Sequence, residues 1–250
     1  MTRFHVGTSG WHYDHWRGSF YPEHMAAREW FAYYAQHFDT VELNNSFYRL
    51  PKAGAWKLWD EEAPRGFTFA VKASRYITHT RRLTGGAGPN ERLLSGARRL
   101  GEHLGPILYQ LPPRFKCDDE TFERLAAFLE LLPRDLHHVF EFRDASWFTE
   151  PVFALLERAG AHFCAFDMPG LECPLRATAG LLYFRFHGTG RRYGGDYPDA
   201  ELHRWATRLT ALSAGAEEAF VYFNNDIGGF APRDAATLAE MLGAERAAHS

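Results

Sequence analysis

The sequence predicts a single TIM-type (β/α) barrel of eight strands and about seven helices. Three observations carry that expectation. Short apolar-rich segments alternate with helical ones from one end of the chain to the other, no GxGxxG turn interrupts the pattern, and 250 residues is a length such a barrel takes. The open doubly wound sheet is the rival arrangement. No linker divides residues 1–250 and no solenoid period recurs, so one domain is expected.

The strands are expected at residues 4–10, 40–46, 67–74, 107–111, 139–143, 163–168, 181–187 and 219–226. The second one anchors the reading. Alternation across a strand turns Val41 and Leu43 one way and Glu42, Asn44 and Ser46 the other, placing a carboxylate, an amide and a hydroxyl on one face. In the third, Phe67, Phe69 and Val71 share a face opposite Thr68, Ala70, Lys72 and Ser74. Helices are expected at 25–37, 53–62, 90–103, 118–132, 151–159, 199–214 and 232–242. Asp118 and Asp119 suit a helix start, and Pro151 suits a first turn. Between the sixth and seventh strands about twelve residues with Pro169, Gly170 and Pro174 leave little room for a full crossover, so that connection is predicted to be shortened near 169–180.

Composition narrows the class of partner. Net charge is −3, with 46% hydrophobic and 24% charged residues, which excludes disorder and gives no general attraction to nucleic acid. No segment approaches the ~20 apolar residues of a membrane span. The N-terminus lacks a signal-peptide apolar run, and Cys117, Cys164 and Cys173 show no metal-ligand spacing. They read as reduced thiols in a cytoplasmic protein.

In a barrel, functional groups gather at the C-terminal ends of the strands and in the loops that follow. Alternation sends Ser9, Glu42, Asn44, Lys72, Ser74, Gln110, Glu141, Arg143, Asp167, Arg185, His187, Asn224 and Asp226 toward that end. Buried charges need partners, so these groups either bind something or neutralise one another. Lys72 is one of four lysines among 28 basic residues, and lysine is the cation that sheds its proton when desolvated. It can bind an anion, act as a covalent amine or sit in an ion pair. Glu42 and Glu141 suit an acid and base pair, with His187, followed by Gly188, as a second proton carrier. Trp11, Tyr13, Trp16, Tyr48, Trp147, Tyr193 and Tyr197 follow predicted strands, where rings either pack the core or stack on a ligand. Arg75, Arg81, Arg82, Arg191 and Arg192 in the same loops favour phosphate. HExxH and CxxC spacings are missing, so neither a metal site nor a cofactor is expected.

The motifs GTSGW at 7–11, FYP at 20–22, VELNNSFYRLP at 41–51, VKAS at 71–74, ITH at 77–79, QLPP at 110–113, EFR at 141–143 with SW at 146–147, RFHG at 185–188 and FNND at 223–226 resemble the YecE-like family, catalogued as domain of unknown function 72. The resemblance runs from about Val6 to Leu238. It implies a TIM-type barrel and carries no established reaction.

The expected function is an enzyme, a hydrolase or lyase, acting on a polar, phosphate-bearing small molecule or nucleic-acid-derived substrate by acid/base catalysis. Lys72, Arg143 and Arg185 would bind the anion, and Glu42, Glu141 and His187 would move protons. Ser9, Trp11, Asn44, Tyr48, Ser74, Gln110, Trp147, Asn224 and Asp226 would complete the substrate site. The alternatives are a carbohydrate hydrolase using the two glutamates, and a non-catalytic nucleic-acid or protein-binding module.

Overall fold

In the computed structural model, which describes residues 2–244, eight parallel strands form one sheet. They are β1 (Arg3–Thr8), β2 (Thr40–Leu43), β3 (Thr68–Lys72), β4 (Leu104–Gln110), β5 (His138–Glu141), β6 (His162–Asp167), β7 (Leu181–Phe186) and β8 (Glu218–Phe223). Each strand pairs with its neighbours in sequence, and β1 returns to β8. The barrel closes between β1 and β2 through the single bridge Ser9 to Glu42. Gly7 makes that approach possible, because a β-carbon there would collide with the Thr40 carbonyl oxygen.

Among the described residues seven helices pack around the sheet: α1 (Trp30–Tyr34), then α3 (Ala53–Glu62), α4 (Gly88–Ala97), α5 (Asp119–Glu130), α6 (Glu150–Ala159), α7 (Asp199–Leu212) and α8 (Ala231–Leu242), while α2 (Asn45–Tyr48) is one turn in the loop after β2. The crossover from β6 to β7, residues 168–180, carries no helix, as its prolines and short length predict. Asp118 caps α5, its carboxylate accepting from the Thr121 amide at 2.9 Å. Pro151 opens α6 and Gly160, at φ 64°, ends it.

Side-chain alternation builds two cores. Ala70, Leu108, Val139, Cys164, Tyr183, Phe220 and Tyr222 fill the barrel interior, whereas Phe69, Val71, Phe140, Phe163 and Phe184 face the helices. Each large side chain sealed in this way stabilises the fold by roughly 1.5–3 kcal/mol. Among the described residues, no helix is long and apolar enough to cross a membrane.

Several boundaries differ from expectation. The helix at 25–37 reduces to a 3-10 turn and the five residues of α1, a stretch crowded with aromatics that have only moderate helix propensity. The helix at 90–103 passes into 3-10 geometry after Ala97 and breaks at Gly101, φ 52°. The strand at 40–46 stops at Leu43, because Ser46 turns back to donate to the Lys72 carbonyl at 2.6 Å. Its alternation therefore does not extend to Asn44 and Ser46.

Candidate functional site

Arg185 on β7 is fully buried and joins two strands across the barrel. One terminal nitrogen donates to Glu141 Oε2 at 2.6 Å, and the other donates to Glu42 Oε1 at 2.6 Å and Ser9 Oγ at 3.2 Å. Glu42 also accepts from Ser9 Oγ at 2.8 Å and from the Tyr183 hydroxyl at 2.7 Å. Glu141 Oε1 accepts from Arg143 Nε. Burial would push the Glu141 carboxyl up, but Arg143 and Arg185 overcome it and hold the group well below the ordinary range. Two carboxylates thus meet two guanidiniums, and every carboxylate oxygen is engaged.

His187 is sealed in the same layer. Arg143 donates to its Nε2 at 2.8 Å, and a guanidinium has no lone pair to offer in return. Nε2 is therefore the bare nitrogen, and Nδ1–H faces the Asn224 amide at 3.2 Å, which must turn its oxygen there. Burial and Arg143 keep this imidazole well below its usual pKa, so it is neutral.

Lys72, at the end of β3, is the exception. It is buried, yet among the described residues its Nζ makes no hydrogen bond or ion pair and lies 4.5 Å from the centroid of the Phe47 ring. Burial and the nearby Arg185 lower its pKa to about 7, against the opposing pull of Glu42 and Glu141.

Lys72 opens into a cavity of about 500 Å³, within the usual size of a small-molecule site. Trp11, Asn44, Tyr48, Gln110 and Asn224 line it with Lys72, as sequence reading expects. Gln110, Pro113 and Tyr193 form a wall shared with a second lobe of about 290 Å³, which adds Arg143, Asp144 and Arg192. Tyr193 holds a left-handed backbone, φ 66°, a strain tolerated here at the cavity wall.

Other expected site residues lie elsewhere. Glu42, Glu141, Arg185 and His187 have fully buried side chains beneath the cavity and do not line it. Ser9 is spent on Glu42. Trp147 stacks on Phe142 at 4.8 Å and donates to the Phe115 carbonyl, which makes it a core residue. Ser74 accepts from the Tyr76 amide at the start of a π-helical turn, Tyr76–Thr80. Asp226 is held by the Trp16 indole at 2.6 Å, and Asp167 by the Tyr197 hydroxyl at 2.7 Å. Nor does Gly188 admit a ligand: the Gly194 carbonyl of the same chain fills the space beside it.

Sequence reading passed over two lining histidines. His12 sits in the loop after β1, and His79 is carried inward by the π-helical turn. Burial and Lys72 lower His79 to about 4, so it is neutral. The π-helical insertion is a recurrent device at functional sites but has no local sequence signature. Among the described residues, no group of three or more His, Cys, Asp or Glu side chains is placed to share a metal ion.

Comparison with known proteins agrees with the barrel and leaves its chemistry open. A family model described as "Protein of unknown function DUF72" matches residues 5–250. UPF0759 protein YunF of Bacillus subtilis is 28% identical over 96% of this chain and 95% of its own. The crystal structure of a DUF72 family protein from Thermotoga maritima superposes with a TM-score of 0.89 at 29% identity, covering 96% of this chain and 99% of that one. D-psicose 3-epimerase from Clostridium cellulolyticum, at TM-score 0.54 and 12% identity over 97% of this chain and 98% of that one, shares the fold alone.

Proposed function

The chain belongs to the DUF72 family of unknown function, and from that premise we propose that it is an enzyme acting on a small polar molecule that carries an anionic group, with Lys72 as the amine that moves the proton. One observation carries this reading: Lys72 faces the cavity without a counter-ion while the carboxylates beneath it are fully engaged by Arg143, Arg185, Ser9 and Tyr183. An anion entering the mouth would supply the missing partner.

The rest of the lining is consistent with that charge. The first lobe presents Lys72, His12 and His79 and no carboxylate; the second presents Arg143 and Arg192 against Asp144 alone. A guanidinium can meet phosphate or carboxylate through two parallel hydrogen bonds. An amine lowered to about 7 is also matched to proton transfer at neutral pH. In this reading Glu42, Glu141 and Arg185 are positioning residues. They fix Arg143 and deprive Lys72 of a counter-ion. The glycosidase alternative loses its support, because both glutamates are sealed off and neither presents a free carboxyl to a sugar.

Calorimetric titration with inorganic phosphate and glycerol 3-phosphate tests the proposal. Lys72→Met should bind at least about tenfold more weakly while keeping its circular dichroism spectrum, a loss of roughly 1.4 kcal/mol. Unchanged affinity would overturn it. Because a bound anion raises the Lys72 pKa from about 7, binding at pH 8 should also take up a proton, read from the heat in buffers of different ionisation enthalpy.

A further inference from the structure

We infer that Lys72 forms an imine with the carbonyl carbon of a small aldehyde or ketone whose anionic group is held in the adjoining lobe by Arg143 and Arg192. This rests on the reading that the mouth takes an anionic small molecule, and it names that molecule's second functional group.

Four observations carry it. Of the chain's four lysines, Lys52, Lys57 and Lys116 are exposed and only Lys72 is buried. Its nitrogen is engaged by no acceptor among the described residues and packs over the Phe47 ring, so its lone pair is available once the proton is gone. Asn44 lines the same lobe, and its Oδ1 is buried without a hydrogen-bond partner, so a rotation of this amide toward the cavity would offer an acceptor to the hydroxyl of a carbinolamine. The two lobes adjoin along Gln110, Pro113 and Tyr193, which places the arginines in the cavity next to the one Lys72 lines.

Electrostatics favours the covalent outcome. Protonating Nζ places a third cation beside Arg185 and Arg143, whereas a neutral imine adds no charge there. In the reaction the free amine attacks the carbonyl carbon, a C–N bond forms, and the π electron pair moves to oxygen, which takes a proton. The nitrogen loses one proton to give the neutral carbinolamine, then loses its second as the hydroxyl takes up a proton and departs as water, leaving a neutral C=N. One water is released, and no oxidant or reductant is consumed.

Reductive trapping tests this on the whole protein. Glyceraldehyde 3-phosphate or glyceraldehyde is added at pH 7 with sodium cyanoborohydride, and modified peptides are located by mass spectrometry. Lys72 should be labelled at least about tenfold faster than the exposed Lys52, Lys57 and Lys116. Inorganic phosphate should slow the labelling, and glyceraldehyde should label Lys72 about tenfold less readily than its phosphate. Lys72→Arg should bind inorganic phosphate yet give no adduct at position 72. Labelling of Lys72 no faster than that of the exposed lysines overturns the imine. If phosphate binding still depends on residue 72 in that case, the anion reading stands without it. Equal labelling by both aldehydes overturns the anionic substrate class and the reading beneath it.

Discussion

Toward the N-terminal end of the barrel His5 lies between two acids, its Nδ1 2.6 Å from Asp39 and its Nε2 3.3 Å from Glu218, whereas at the C-terminal end Lys72 has no carboxylate partner. Burial alone would lower the pKa of both. At His5 the hydrogen bonds to Asp39 and Glu218 win and raise it to about 9; at Lys72 burial and Arg185 win and lower it to about 7. A buried base with its partners built in is part of the frame. One left without them is poised for a partner from outside.

The comparison can be broken most forcefully at Arg185. Arg185→Leu removes the cation that holds Glu42 and Glu141 and should cost about 3–5 kcal/mol in urea denaturation, because two carboxylates stay buried with fewer partners. A cost near zero would show that the layer is not an ion-paired frame. Lys72→Met should act in the opposite direction. With the folded pKa near 7 and an unfolded value near 10.5, burying this lysine at pH 7 works against folding, so its removal should stabilise by on the order of 3 kcal/mol.

The pH dependence sharpens the contrast. His5 has its folded pKa raised to about 9, so its contribution is complete below pH 6.5 and is lost as the pH rises to 9. Lys72 has its folded pKa lowered, so its penalty is complete below pH 7 and disappears as the pH rises to 10.5. Between pH 7 and 9 the two slopes oppose each other, each about 1.4 kcal/mol per pH unit. The wild type should therefore be nearly flat across that range, and Lys72→Met should lose stability steadily. A flat profile in the variant would contradict the His5 assignment. On the acid side, burial lowers His138 and His162 to about 4, so both stay neutral in the fold and charge more readily in the unfolded chain. Stability should decline from pH 6.5 toward pH 4, and less so in His162→Gln. The smallest effect is expected at Tyr48, a cavity-lining ring that is 76% exposed: Tyr48→Ala should change stability by no more than about 0.5 kcal/mol while weakening phosphate binding.

The barrel was legible in the sequence because period-two patterning and strand-helix alternation are local signals, and the missing crossover helix was legible from Pro169, Gly170 and Pro174. Alternation also identified the inward set of Glu42, Lys72, Glu141 and Arg185. It could not rank them by depth. Glu42 and Lys72 both point inward, but one is spent on Ser9, Tyr183 and Arg185 and the other opens to the cavity. That distinction depends on pairing between residues 33 to 143 positions apart. Trp147 and Asp226 lie off the cavity for a different reason. Both follow strands, but Trp147 folds outward onto Phe142, and Asp226 is tied down by a tryptophan from the opposite end of the sequence. His79 could not be read because a π-helical turn changes which side chains face inward.

Arg185 spans from β2 to β5, so the ion-paired layer corks the barrel beneath the cavity. Nothing bound in the mouth can descend past that rigid floor, and whatever enters is measured only by what overhangs it. Changing what such a mouth accepts would then mean re-tailoring its roof, at residues 44–48, 76–80 and 188–194, without touching the stopper underneath.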